Sequence, residues 1–178
     1  PGYQIVLTAG KDDVAFVAPA DYTITGAGDF CVFPVADYFY AYDQAILQHL
    51  LNNTAAGENV IKFAYDIEGD VVVDQKEGHN VVIDGLGKKD DGKITIDGNS
   101  RNDGAETLLV ENVNFETEAA SLYFLEMNST DGADRYAHNV TVKDCTFKGG
   151  EGVVGARFRQ CYNMAFQNCQ VISGHSLA

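Results

Sequence analysis

The stretch NVTVKDCTF, Asn139 to Phe147, returns 24 positions later as NMAFQNCQV, Asn163 to Val171. Self-similarity at a period of about 20 to 50 residues constrains a fold more than any local propensity, because such a chain stacks copies of one supersecondary unit. Aligning Val142 with Phe166 also aligns Cys145 with Cys169, and a step of 32 residues back from Val142 reaches Val110 in TLLVENVNF. A further 27 back lies Ile83 in NVVIDGLGK. A second row of strand-like runs interleaves with the first. GDVVVD and GKITID lie 23 apart, and LYFLEM and VVGARF continue that row.

Inside each unit the apolar residues alternate, as in Val140 and Val142, and then resume after one slip of phase at Cys145 and Phe147. Period two with a single slip predicts two short strands joined at a bend. Asn112, Asp144 and Asn168 fall at that bend, where short polar side chains tolerate left-handed backbone. With the third strand added, each unit returns to its starting point one strand spacing of about 4.8 Å higher. Asn112, Asp144 and Asn168 are then expected to form a structural ladder, with Cys145 and Cys169 stacked beside it as two buried thiols. In-register parallel stacking does not favour disulfide geometry.

The segments HNVVIDG, NVTVKDCTFKGG and YNMAFQNCQVISG, with AYDQAILQHLLNNTAAGENVIKF ahead of them, resemble the right-handed parallel β-helix proteins of the pectate-lyase-like superfamily. In the upstream stretch Ala45, Ile46, Leu50 and Leu51 keep helical spacing, and AAGE ends the helix before a strand at Val60 to Tyr65. The resemblance covers about residues 41 to 178. It implies an all-β, right-handed single-stranded parallel β-helix of about five coils with an N-terminal capping helix and a small N-terminal β segment. The expected organisation is a β-rich cap segment over residues 1–40, a capping helix over 41–58 and the β-helix over 59–178. Residues 1–40 are not expected to join the repeat; their aromatic run from Phe30 to Tyr42 reads as cap packing or as a sugar-stacking platform. The last apolar strand is followed at once by SGHSLA, so further coils, or a stacked second copy, are expected beyond Ala178.

The chain has 178 residues, 26 acidic against 12 basic, for a net charge of −14, which opposes binding to nucleic acid. Without an apolar run of about eighteen residues, no membrane span is expected. Cys31, Cys145, Cys161 and Cys169 show no CxxC spacing, which disfavours zinc.

Catalytic motifs are sparse. His175 in GHS has no aspartate pair on the preceding coil, Asp12–Asp13 lies outside the repeat, and Asp90–Asp91 is expected in the turn KKDDGK. No catalytic residue is assigned. The longest excursions from the coils, Ser100 to Ala105 and Asn128 to Tyr136, are the expected walls of any ligand site. Asp103, Asp131 and Asp134 there could take a calcium ion, although neither loop has EF-hand spacing. Arg157 and Arg159 alternate with Phe158 and so point outward, with Glu126 beneath Arg157; an ion pair is the simpler reading and ligand binding the other. The function expected from this pattern is a non-catalytic, adhesin-like segment, extracellular or at the cell surface, touching a polysaccharide or host glycan along its flank. The alternatives are a polysaccharide lyase or glycoside hydrolase with active coils beyond residue 178, and a phage fibre or tailspike shaft on a virion surface.

Overall fold

The computed structural model describes residues 6–8, 30–32, 37–98, 104–117, 123–128, 136–150, 154–158 and 161–172. These residues are mostly β, with one helix among them. Two short strands, Val6–Thr8 (β1) and Phe30–Val32 (β2), pair antiparallel. Phe39–Ala41 (β3) leads into the helix Gln44–Asn52 (α1), and Gly57–Phe63 (β4) and Val71–Asp74 (β5) follow. The next circuit is His79–Asp84 (β6), Lys89–Asp90 (β7) and Ile94–Asp97 (β8), then Leu108–Glu111 (β9), Asn114–Thr117 (β10) and Tyr123–Asn128 (β11). Ala137–Lys143 (β12), Thr146–Gly149 (β13) and Val154–Phe158 (β14) form another, and Cys161–Gln167 (β15) and Gln170–Val171 (β16) complete the described chain.

From β6 onward the chain visits three sheets in turn, so each strand pairs in parallel with the strand three further on. The sheets are β15-β12-β9-β6-β4-β3, β16-β13-β10-β7 and β14-β11-β8-β5. The result is compatible with a parallel β-helix. A single circuit has no partner for its backbone groups; the circuits on either side supply them.

Period-two alternation aims one set of side chains at the shared interior. In the six-stranded sheet the register aligns Phe39, Ile61, Ile83, Val110, Val142 and Phe166 in one column. Ile61, Ile83, Val110 and Val142 are buried, whereas Phe166, at the end of the described stack, is 39 % exposed. The second sheet aligns Ile67, Asp90, Phe115, Phe147 and Val171, and the Phe115 and Phe147 rings stack at 5.1 Å. The third aligns Val71, Ile94, Leu125 and Ala156, all buried. Each fully buried Val, Leu, Ile or Phe of these columns contributes about 1.5–3 kcal/mol relative to exposure.

The helix forms because Asp43 caps it, its Oδ1 accepting from the Ile46 N–H at 2.8 Å, and because Ile46, Leu47, Leu50 and Leu51 make one buried face. Ala45 is exposed, and Leu47 takes the place on that face expected for it. The edge of β5 is met by Gln48, which donates to the Val72 carbonyl at 2.9 Å and accepts from its N–H at 2.7 Å. Gln44 donates to the Asp70 carbonyl beside it. A helix amide thus stands in for a missing strand, as an open edge requires. The strand after the helix begins at Gly57 instead of Val60. Phe39 and Tyr40 were expected outside the repeat, yet β3 pairs in parallel with β4 and extends the six-stranded sheet across the helix.

Corners between the first and second sheets are left-handed. Asn112, Asp144 and Asn168 have φ of 55°, 52° and 52°. Asn112 Nδ2 donates to Asp84 Oδ1 at 3.0 Å, and Asn168 Nδ2 donates to Asp144 Oδ1 at 2.5 Å. The circuit of β6 turns instead at Leu86, with φ of 51° and 45 % exposure. A leucine there carries the steric cost of the left-handed region without the local hydrogen bond an asparagine can make.

Leu86→Asn is therefore expected to stabilise the protein by about 1 kcal/mol, read from the urea midpoint at unchanged slope. Asn112→Ala should cost about 2 kcal/mol, from backbone strain plus the lost bond to Asp84, and Asn112→Gly only the hydrogen-bond share. Equal losses in the two Asn112 variants would show that backbone strain contributes nothing at this corner.

Candidate functional site: the outer face of the six-stranded sheet

Alternation that sends one set of residues inward leaves the other on the outer face, and in the six-stranded sheet this face is ordered into columns. Val60, Val82, Leu109, Thr141 and Ala165 lie in register and are all partly exposed. Beside them run Tyr40, Lys62, Asp84, Glu111, Lys143 and Gln167. An apolar strip is therefore flanked by hydrogen-bonding and charged groups.

Toward β15 the face opens into a groove of about 560 Å³, lined by Thr107, Leu109, Asn139, Thr141, Lys143, Asn163 and Gln167 among others. Its rim is a second asparagine pair. Asn139 and Asn163 have φ of 49° and 54°, and Asn163 Nδ2 donates to Asn139 Oδ1 at 2.9 Å. Asn139 Nδ2 donates in turn to the carbonyls of Gly104 and Glu106. Both residues open the two repeated stretches, which is the sequence signal for this corner; reading the phase slip alone passes over it.

Lys143 Nζ lies 3.3 Å from Glu111 Oε2 and 3.6 Å from Asp144 Oδ2. The hydrogen bond to Glu111, reinforced by the two carboxylate charges, raises the lysine above its ordinary pKa and keeps it charged. Its charge is balanced locally, so the groove presents hydroxyl, amide and compensated ammonium groups over an aliphatic floor. At the other end of the face Tyr38, Tyr40, Tyr42 and Tyr65 form a chain of ring contacts at 5.3, 6.3 and 5.9 Å. Lys62 Nζ sits 4.3 Å from the Tyr38 ring centre.

Of the ligand candidates, Asp103, Asp131, Asp134 and Arg159 lie outside the described residues. Arg157 lies on the third sheet, with Nη1 3.4 Å from Glu126 Oε1 and the guanidinium 5.1 Å from the Tyr123 ring centre. Lys93 holds the other oxygen of Glu126 at 3.0 Å. Arg157 and the groove are thus on different sheets. Among the described residues, no group of three or more His, Cys, Asp or Glu side chains is placed to hold a metal ion. No described helix is long and apolar enough to cross a membrane.

Cys145 and Cys169 are free thiols, their sulfurs directed to the Val110 and Lys143 carbonyls and to the Val142 and Gln167 carbonyls respectively. Cys145 is fully buried, and burial pushes its thiol up to about 12. Cys169 is only partly buried, at the end of the described stack. No protein-family model, curated protein or solved structure matches the chain.

At pH 8 a thiolate-directed alkylating reagent should leave Cys145 unmodified in the folded protein and label it fully after denaturation, as read by peptide mass spectrometry. Modification of Cys145 in the native state at the rate of a free thiol would contradict its placement.

Proposed function

We propose that this chain is a stretch of a right-handed parallel β-helix of the pectate-lyase-like superfamily, about five coils long and capped by α1, acting as a non-catalytic, adhesin-like glycan-binding segment. The observation that carries this reading is the strip Val60, Val82, Leu109, Thr141 and Ala165, flanked by amide, hydroxyl and charged groups. Sugars have apolar C–H faces and equatorial hydroxyls, and an aliphatic floor with amide rims serves both at once. Repetition adds to this. Successive coils present equivalent groups about 4.8 Å apart, so an extended polysaccharide can repeat one weak contact along the stack. An extracellular or cell-surface location follows from such a ligand.

Affinity electrophoresis against a panel of neutral and acidic polysaccharides tests the reading. Retardation by at least one polysaccharide is expected, reduced about tenfold or more by Thr141→Arg, which fills the groove while leaving the buried columns untouched. Failure of every polysaccharide to retard the protein, or equal retardation of Thr141→Arg, would sink it. Unsaturated products, followed by ultraviolet absorbance with and without calcium, would replace it with the lyase reading.

A further inference from the structure

The second sheet's inward column runs Ile67, Asp90, Phe115, Phe147 and Val171, so a carboxyl occupies a place that is hydrocarbon in every other circuit. Asp90 is 0 % exposed. One oxygen, Oδ1, accepts from the Gly92 N–H at 2.9 Å, while Oδ2, also buried, has no hydrogen-bond partner among the described residues. Gly92 reaches this position because its backbone lies against Gly69; a Cβ there would come within 2.0 Å of the Gly69 carbonyl oxygen.

Among the described residues no cation compensates the group. On its own turn, Lys89 lines the outer surface and its N–H donates to Asp66 Oδ1, while Lys93 is held by Glu126. Asp91 Oδ1 accepts from the Gly69 N–H and Asp70 Oδ1 from the Lys93 N–H, and both carboxylate charges act against ionisation of Asp90. From β10, Glu116 is tied to Lys148 at 2.6 Å on the exposed side.

We propose that Asp90 is a proton-operated latch on the turn that joins β7 to β8, holding it against the preceding circuit while the carboxyl is neutral and releasing it to local opening once ionised. Burial, with the charges of Asp91 and Asp70 added and the Gly92 N–H opposing, raises the group from 3.8 to about 7. A folded-state value above the unfolded one means that the closed turn binds the proton more tightly than the open turn does. The stabilisation is complete below the ordinary carboxyl range, declines as pH rises and is lost above about 7. Glu116, lowered mainly by its hydrogen bond to Lys148, has the opposite sign and acts only in more acidic solution, so the two windows separate.

Hydrogen exchange of peptides covering residues 85–97, corrected for intrinsic rates, tests the latch. Between pH 5 and pH 8 protection should fall roughly a hundredfold in the natural protein and stay level in Asp90→Asn, with β12 level in both. A level profile in the natural protein, or an equal fall in the variant, would overturn it. Should Asp90→Asn fail to fold, carbon NMR titration of the Asp90 carboxyl in the natural protein decides the matter. A midpoint near neutrality, moving down in Asp91→Asn, supports the latch, and a midpoint below about 5 removes it.

Discussion

Parallel pairing of each circuit with the next is the constraint on which the structure depends. A circuit of short strands has unpaired N–H and C=O groups on both edges and an apolar face with nothing to cover it. Stacking satisfies both needs together, and it does so only when the inward residues of neighbouring circuits occupy the same register, as Ile83, Val110 and Val142 do. A slip of one residue would turn a whole strand's apolar set to solvent. The corners therefore have to reproduce one geometry, and the left-handed Asn112, Asp144 and Asn168 reproduce it.

Charge follows the same geometry. The chain carries −14 overall, and four of its described cations meet carboxylates on neighbouring circuits: Lys143 with Glu111, Lys148 with Glu116, and Lys93 and Arg157 with Glu126. Exposed pairs of this kind add little to stability. Their consequence is electrostatic: in the groove Lys143 is balanced by Glu111 and Asp144, so recognition there rests on hydrogen bonding and apolar contact, while Lys62 at the far end of the face lies over the Tyr38 ring.

Some polar residues do work that an edge or corner imposes. Buried Gln75 donates to the His138 carbonyl at 2.8 Å and accepts from the His138 N–H at 2.9 Å, bridging 63 residues of sequence much as a strand would. Gln48 does the same for β5 from the helix. A glutamine's composition says nothing of this role. Only the arrival of a distant backbone segment at the right distance gives the side chain a peptide group to mimic.

Periodicity made the strand rows, their spacing and the helix legible, because a stacked chain must repeat its apolar pattern to bury it. The candidate site was less legible. Arg157 could be placed over Glu126 from the alignment, but Thr141, Asn163 and Gln167 belong to the outward half of the alternation, where no packing requirement marks a residue. The strand-like residues of β3 read as part of a separate cap because a three-residue strand before a helix carries no period, and Asp90 reads as a turn residue because an Asp-Asp-Gly run resembles an ordinary turn. By itself the sequence determined that successive circuits lie in register, since period-two burial admits few alternatives. Which polar groups end up inside, and which columns face solvent together, was decided by tertiary structure, because burial and local charge belong to the assembled stack and not to any one circuit.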